Sequence, residues 1–360
     1  MMPTSPGATR YAATAAVCAL TLMTFPPPGH ARAFNDPRSE TNDAIDQAAA
    51  PRDPACQART LAATGGAMPR DPHTLAVRWA GYANFELVYG GHILLLDAYY
   101  DRGSAYPSLG FKAADITRAD AILIGHGHFD HMSDAASVGA RIGATVVGAP
   151  VTTEKLATQP IDPKQVKTVT GRGGEFLKFS GFTVEPILAR HGEPPANIVK
   201  PIDAALNQVT KPLSDEQATE QAAIRQRGTS DHRVIAEGTI AYLITLDDGF
   251  RIMFRDSGGR ITAQEKAAMD RIGRVDLALV AVAASYLNTL TVEQALEHVR
   301  TYRPDVYMPA HHDAANNGLW RAIEPIAEAL KNDNPNLVTV SREYRTPVCF
   351  DTEFNIQRRR

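Results

Sequence analysis

The chain has 360 residues, 44% of them hydrophobic and 21% charged, which suits one large folded domain or two small ones and excludes a disordered or fibrous protein. Its formal net charge is −3 and the one basic cluster, Arg358-Arg359-Arg360, stands at the chain end, so a broad phosphate-binding surface is excluded and nucleic acid is not an expected partner.

In chain order, residues 1–33 read as a secretory signal peptide. Arg10 supplies the positive start, Tyr11 to Phe25 is uncharged and mostly apolar, and Ala31-Arg32-Ala33 offers small residues for cleavage. A mature protein starting near Phe34, periplasmic or secreted, is the expectation. Three threonines and the run Pro26-Pro27-Pro28 make this segment a poor membrane span, and no integral membrane association is expected elsewhere. With Cys18 removed, Cys56 and Cys349 remain, either as a disulfide or as two free thiols.

Residues 34–73 read as an irregular N-terminal leader, residues 74–350 as the main domain and 351–360 as a tail. Leu75–Trp79, Phe85–Tyr89, His92–Leu96 and Ala121–Ile124 are predicted strands, and Met132–Ile142 a helix. Strands are also predicted at Glu175–Phe179, Phe182–Leu188, Thr239–Leu246, Arg251–Phe254, Leu277–Val282 and Val306–Met308. Helical patterns cover Ala263–Ile272, Val292–Tyr302 and Leu319–Lys331. Strands, a helix, more strands and then alternating helix and strand predict two sheets flanked by helices. The polar stretch 192–238, with one predicted helix at Asp215–Arg227, reads as an insertion, either a substrate loop or a solvated surface insert. Shortening it is expected to change substrate preference while sparing fold and metal content.

The most specific feature is Gly125-His126-Gly127-His128-Phe129-Asp130-His131, placed between a strand and a helix. Three imidazoles and a carboxylate in six residues are the donors that zinc and related first-row ions accept. On a tight turn, His126 and His128 can converge on one cation while Asp130 and His131 turn toward another.

This heptapeptide resembles the metal-binding signature of the metallo-β-lactamase superfamily, and the order of later residues extends the resemblance over about Leu75–Val348. The motif style is similar to the branch of the L-ascorbate-6-phosphate lactonase and of N-acylphosphatidylethanolamine-hydrolysing phospholipase D. The resemblance implies an α/β (α+β) fold, a four-layer αββα sandwich. It also implies two divalent metal ions, most readily Zn with Mn or Fe as alternatives. His126, His128 and His191 would hold the first ion, Asp130, His131 and His311 the second, and Asp256 both. His311 stands two residues after Pro309, as in the lactonase branch; the reverse, with His312 as ligand, stays open, because neighbouring strand residues face opposite ways. If His311 is the ligand, His312 lies behind it or near substrate. Asp97, closing Ile93-Leu94-Leu95-Leu96-Asp97, is expected to hydrogen-bond a ligand histidine, or else to be a turn acid. Tyr286 is either a substrate contact or a core tyrosine; its preceding Ala283-Ala284-Ser285 departs from the phospholipase pattern and counts against a phospholipid substrate.

In such a site a water bridging two cations loses a proton near neutral pH, and Asp130 is the expected proton shuttle. The expected function is therefore hydrolysis of an ester, lactone, amide or phosphodiester bond in a small molecule. The alternatives are an iron-dependent redox enzyme on the same fold and a zinc β-lactamase. A vestigial binding protein is disfavoured because every ligand position is filled.

Overall fold

Alternation along each strand divides the apolar residues between an inner and an outer face. In β1 (Thr74–Trp79), Leu75, Val77 and Trp79 face the inner core and Ala76 the outer one. In β2 (Phe85–Tyr89) and β3 (His92–Leu96), Phe85, Leu87 and Leu94 face inward, with Val88, Ile93 and Leu95 outward. Burial on both faces is why these strands read as nearly continuous apolar runs.

The computed structural model describes residues 53–192, 212–282, 289–313 and 323–353. All of them fall within one unit, Glu40–Arg360. The expected signal segment, Tyr286 and the arginine tail fall outside the described residues.

One sheet has the order β14 (Pro347–Asp351), β1, β2, β3, β4 (Ala121–Leu123), β5 (Thr145–Gly148) and β6 (Val166–Thr168). The other runs β13 (Val338–Thr339), β12 (Val306–Ala310), β11 (Leu277–Ala281), β10 (Arg251–Arg255), β9 (Ile240–Leu246), β8 (Phe182–Leu188) and β7 (Leu177–Phe179). Pairing is antiparallel from β14 to β3 and parallel from β3 to β6. The second sheet repeats the scheme, antiparallel from β7 to β10 and parallel from β10 to β13. β3 and β10 thus hold matching places, each where the pairing changes sense.

The helices are α1 (Phe129–Met132), α2 (Ala135–Ile142), α3 (Pro150–Leu156), α4 (Asp215–Arg225), α5 (Arg233–Ala236), α6 (Ala263–Ile272), α7 (Thr289–Tyr302) and α8 (Glu324–Asp333). α2 lays Ala135 and Val138 on the outer face of the first sheet, beside Ile122 and Val146. α6, α7 and α8 cover the second sheet with Met269, Val299, Tyr302, Ile326 and Leu330. Helices, sheet, sheet and helices make the four-layer αββα sandwich. The single helix expected over Met132–Ile142 is two, α1 and α2, broken at Ser133 and Asp134, where Asp134 Oδ2 accepts from the amides of Tyr100 at 2.7 Å and Asp101 at 2.9 Å.

The segment before β1 is fastened to the first sheet. Glu86, buried in β2, accepts from the amides of Ala62 at 3.1 Å and Ala63 at 2.7 Å and pairs with buried Arg78 at 2.9 Å. Cys56 and Cys349 form a disulfide, with Cα atoms 5.8 Å apart.

Candidate metal centre

β3, β4, β8, β10 and β12 all deliver their carboxyl ends to one edge of the sandwich, the place where α/β sheets gather ligands. Asp97 follows β3, the His126–His131 loop follows β4, His191 lies beyond β8, and Asp256 and His311 directly follow β10 and β12.

Three groups of side chains converge there. The ligand atoms of His126, His128 and His191 lie within 4.8 Å of one another, as do those of Asp130, His131 and His311 and those of His126, His131 and Asp256. His312 is in none of these groups. Its ring stacks on Trp79 with centroids 4.4 Å apart, away from the ligand cluster. The two histidines part because His311 takes a left-handed φ of 64°, an uncommon conformation for a side chain other than glycine. Its amide donates to the carbonyl of Tyr82 at 2.8 Å, and Tyr82 is itself left-handed with φ 47°. Such strain collects at functional sites.

The imidazoles are oriented from behind. His126 Nδ1 lies 2.7 Å from Asp256 Oδ2, and His131 Nδ1 lies 2.7 Å from Asp97 Oδ2 and 3.2 Å from Asp256 Oδ2. Each Nδ1–H thus faces a carboxylate, which leaves Nε2 as a lone-pair donor. Those nitrogens meet others head on: His126 Nε2 is 3.1 Å from His128 Nδ1, and His131 Nε2 is 3.2 Å from His311 Nε2. Asp256 also keeps Oδ1 buried without a hydrogen-bond partner among the described residues. Converging lone pairs and an unpartnered buried carboxylate oxygen fit divalent cations.

Electrostatics favour the ligating protonation states of His126, His128, His131, His191 and Asp130, and oppose those of His311 and Asp256. Burial, reinforced by neighbouring imidazoles, pushes His126 down, and burial pushes His128 and His131 down. Burial next to His126 and His128 holds His191 down to about 2. Asp130 stays well below the usual carboxylate range because His131 and His311 outweigh its burial. Burial opposes a charge on His311, but the carboxylate of Asp130 overrides it and raises the imidazole. Asp97 and Asp256 are raised, chiefly by burial. Gly125 makes room for this stack, since a Cβ there would sit 2.1 Å from Asp256 Cγ.

Two supports were not anticipated from sequence. Arg255, fully buried, donates to the carbonyls of Ser257 at 2.8 Å, Arg190 at 3.0 Å and Arg260 at 3.1 Å, tying the chain at His191 to the chain at Asp256. Its Nε pairs with buried Glu265 at 3.0 Å, and its Nη1 lies 2.6 Å from His298 Nε2, so His298 is a buried packing residue. Asp313, next to His312, accepts from the Tyr82 amide at 2.9 Å and pairs with Arg102 at 2.8 Å. A charge at the end of the apolar run Ile252-Met253-Phe254 was the one available signal for Arg255.

The described part of the insertion, 212–238, packs on the ligand loop. Thr229 N donates to Gly127 O at 2.7 Å, Arg227 Nε to Ser133 O at 2.9 Å, and Ile224 and Val234 are buried. It is part of the site's frame, and the expectation that it can be shortened without cost to the fold is revised accordingly.

Residues 92–312 match the family described as the beta-lactamase superfamily domain. The chain belongs to this family. A relative from Methanopyrus kandleri, named a UPF0173 metal-dependent hydrolase, is 22% identical over 72% of this chain and 91% of its own length. One of the same name from Anaeromyxobacter dehalogenans is 25% identical over 71% of this chain and 79% of its own. Among solved structures, Igni18, a metallo hydrolase from Ignicoccus hospitalis, shares the fold with a TM-score of 0.53 at 15% identity, covering 77% of this chain and 98% of that one. A possible metal-dependent hydrolase from Veillonella parvula gives 0.51 at 13% identity, over 76% and 98%. With the ligand groups above, membership of the metallo-β-lactamase superfamily makes the chain a metal-dependent hydrolase. No helix among the described residues is long and apolar enough to cross a membrane.

Proposed function

We propose that this chain is an exported two-metal hydrolase that cleaves an ester, lactone, amide or phosphodiester bond in a small-molecule substrate, with zinc as the first choice of ion. The observation that carries the reading is the pair of ligand trios, His126/His128/His191 and Asp130/His131/His311, with Asp256 beside one histidine of each. When bound, the two ions would acidify a shared water and polarise the scissile carbonyl or phosphoryl oxygen. The residues do the rest. Asp97 and Asp256 hold His131 and His126 in tautomers that could ligate, and Asp256 Oδ1, without a hydrogen-bond partner among the described residues, is an oxygen with which Asp256 would hold an ion. Asp130, whose Oδ2 lies 3.4 Å from His311 Nε2, would carry a proton to the leaving atom.

Export rests on the signal-like residues 1–33 and is supported by the Cys56–Cys349 disulfide, a bond of oxidising compartments. The test is metal quantification on the purified protein, followed by turnover of an ester, lactone, amide, phosphodiester and β-lactam panel. Two equivalents of metal and chelator-sensitive hydrolysis are expected. One equivalent of iron with dioxygen consumption would overturn the reading in favour of redox chemistry. His128→Ala is expected to abolish turnover and lower metal content while the fold persists.

A further inference from the structure

Beside the Asp130/His131/His311 trio stands an aromatic rim that the ligand chemistry does not use. Tyr82 meets the His311 ring edge-on at 4.9 Å, Tyr99 meets Tyr82 edge-on at 4.9 Å, and Phe129, between His128 and Asp130, meets Tyr99 edge-on at 5.8 Å. Helix α4 of the insertion closes the rim by packing Ile224 with Tyr82 and Tyr99.

Two polar groups of this rim lack the partners that their neighbours have. Tyr99 is 0% exposed, yet its hydroxyl has no hydrogen-bond partner among the described residues, an unfavourable state for a buried donor. Its backbone is clamped by buried Asn84, which accepts from the Tyr99 amide at 2.8 Å and donates to its carbonyl at 3.2 Å. Arg225, in the last turn of α4, lies 4.3 Å over the Phe129 ring. Arg227 and Arg233 of the same segment pair with Asp134 at 3.2 Å and with Asp231 and Glu154 at 2.6 Å. Arg225 has no carboxylate partner among the described residues. The acids Asp97, Asp130 and Asp256 lie within the ligand cluster, so an anion on a substrate is best accommodated out at this rim.

We propose that the rim is a subsite for a substrate bearing an oxyanion, carboxylate or phosphate, on an apolar body, with Arg225 taking the anion, the half-buried Phe129 ring meeting the body, the buried Tyr99 ring backing Phe129, and the Tyr99 hydroxyl the donor left to hydrogen-bond it. The subsite names a substrate class for the hydrolase reading and rests on that reading for the bond cleaved, while the recognition itself can be measured without catalysis.

Calorimetric titration of the chelator-treated full chain with benzoate, phenyl phosphate and neutral benzyl alcohol isolates the rim, because no cation is left to capture the anions. At least one anion is expected to bind about tenfold tighter than the alcohol, the scale of a charge-assisted contact. Arg225→Ala should remove that margin and Arg225→Lys restore part of it. Tyr99→Phe should weaken the anion several-fold. Equal binding of anions and alcohol, or a margin that survives in Arg225→Ala, overturns the proposal. Hydrolysis is read separately, as the ratio of kcat/KM for 4-carboxyphenyl acetate over phenyl acetate in metal-loaded protein, expected to fall in Arg225→Ala. If neither ester is cleaved, ester hydrolysis fails while the binding margin still decides the subsite.

Discussion

His131 Nδ1 lies 2.7 Å from Asp97 Oδ2, and the same carboxylate accepts from the Gly125 amide at 3.0 Å through Oδ1. One acid therefore fixes both a histidine and the start of the loop that carries it. Asp97→Asn keeps the shape and removes the charge. About 10–100-fold weaker metal binding at the Asp130/His131/His311 trio is expected, with a near-native circular dichroism spectrum. Unchanged affinity in a competitive chelator titration would show that this contact does not tune the site.

His311→Ala and His312→Ala should behave differently although the residues are adjacent. The first removes a member of a ligand trio and is expected to cost one equivalent of metal. The second removes a ring stacked on Trp79 and is expected to cost stability, about 1–3 kcal/mol, with both equivalents kept. Metal stoichiometry and thermal melts on both variants decide; reversed losses would mean that His312 is the ligand.

Acidification should destabilise the chelator-treated protein. Burial holds His191 down to about 2 and His312 down to about 4, whereas unfolded histidine titrates near 6.5. Below about pH 6.5 the unfolded chain binds the extra protons, so each of these groups withdraws up to about 1.4 kcal/mol per pH unit until its folded value is reached. His311, raised by Asp130, works in the opposite direction, its stabilisation being complete below about pH 6.5 and lost as pH rises through its folded value. Asp97 and Asp256, raised chiefly by burial, offset part of the acid loss in the same way, but the lowered imidazoles of His126, His128, His131, His191 and His312 outnumber them. The net expectation is a Tm that falls from pH 7 to pH 5. A flat profile would contradict neutral buried imidazoles.

Replacing residues 215–236 by a short Gly-Ser link should lower both Tm and metal content. Burial of Ile224 and Val234 alone is worth about 3–6 kcal/mol, and the bonds of Thr229 and Arg227 to the ligand loop go with them. A shortened protein with wild-type melting and two bound ions would return this segment to the status of a solvated insert.

The candidate cluster was legible because His126, His128, Asp130 and His131 are adjacent in sequence, and the strands that carry the rest are apolar runs long enough to recognise. β8 begins and ends where its pattern does. Short edge elements carry too little pattern: β6 has three residues and β13 two, and neither is among the strands predicted from sequence. That His311 joins the candidate cluster while His312 stacks on Trp79 goes with one φ value, which no periodicity encodes. Arg255 was illegible for a different reason. A buried guanidinium is rare enough that its meaning lies wholly in its partners, the carbonyls of Arg190 and Arg260 and the side chains of Glu265 and His298, brought in from other elements.

Each ligand trio takes two members from the loop after β4, in one sheet, and the third from the other sheet: His191 beyond β8 in the first case, His311 after β12 in the second. A cation held by either trio acts as a rivet through the seam of the sandwich. Its affinity then measures how well the two halves are docked, and any substitution that lets the sheets slip should appear first as weaker metal binding, before the helical layers loosen. Chelation, conversely, should make the halves melt less cooperatively, a change readable in the ratio of van't Hoff to calorimetric enthalpy.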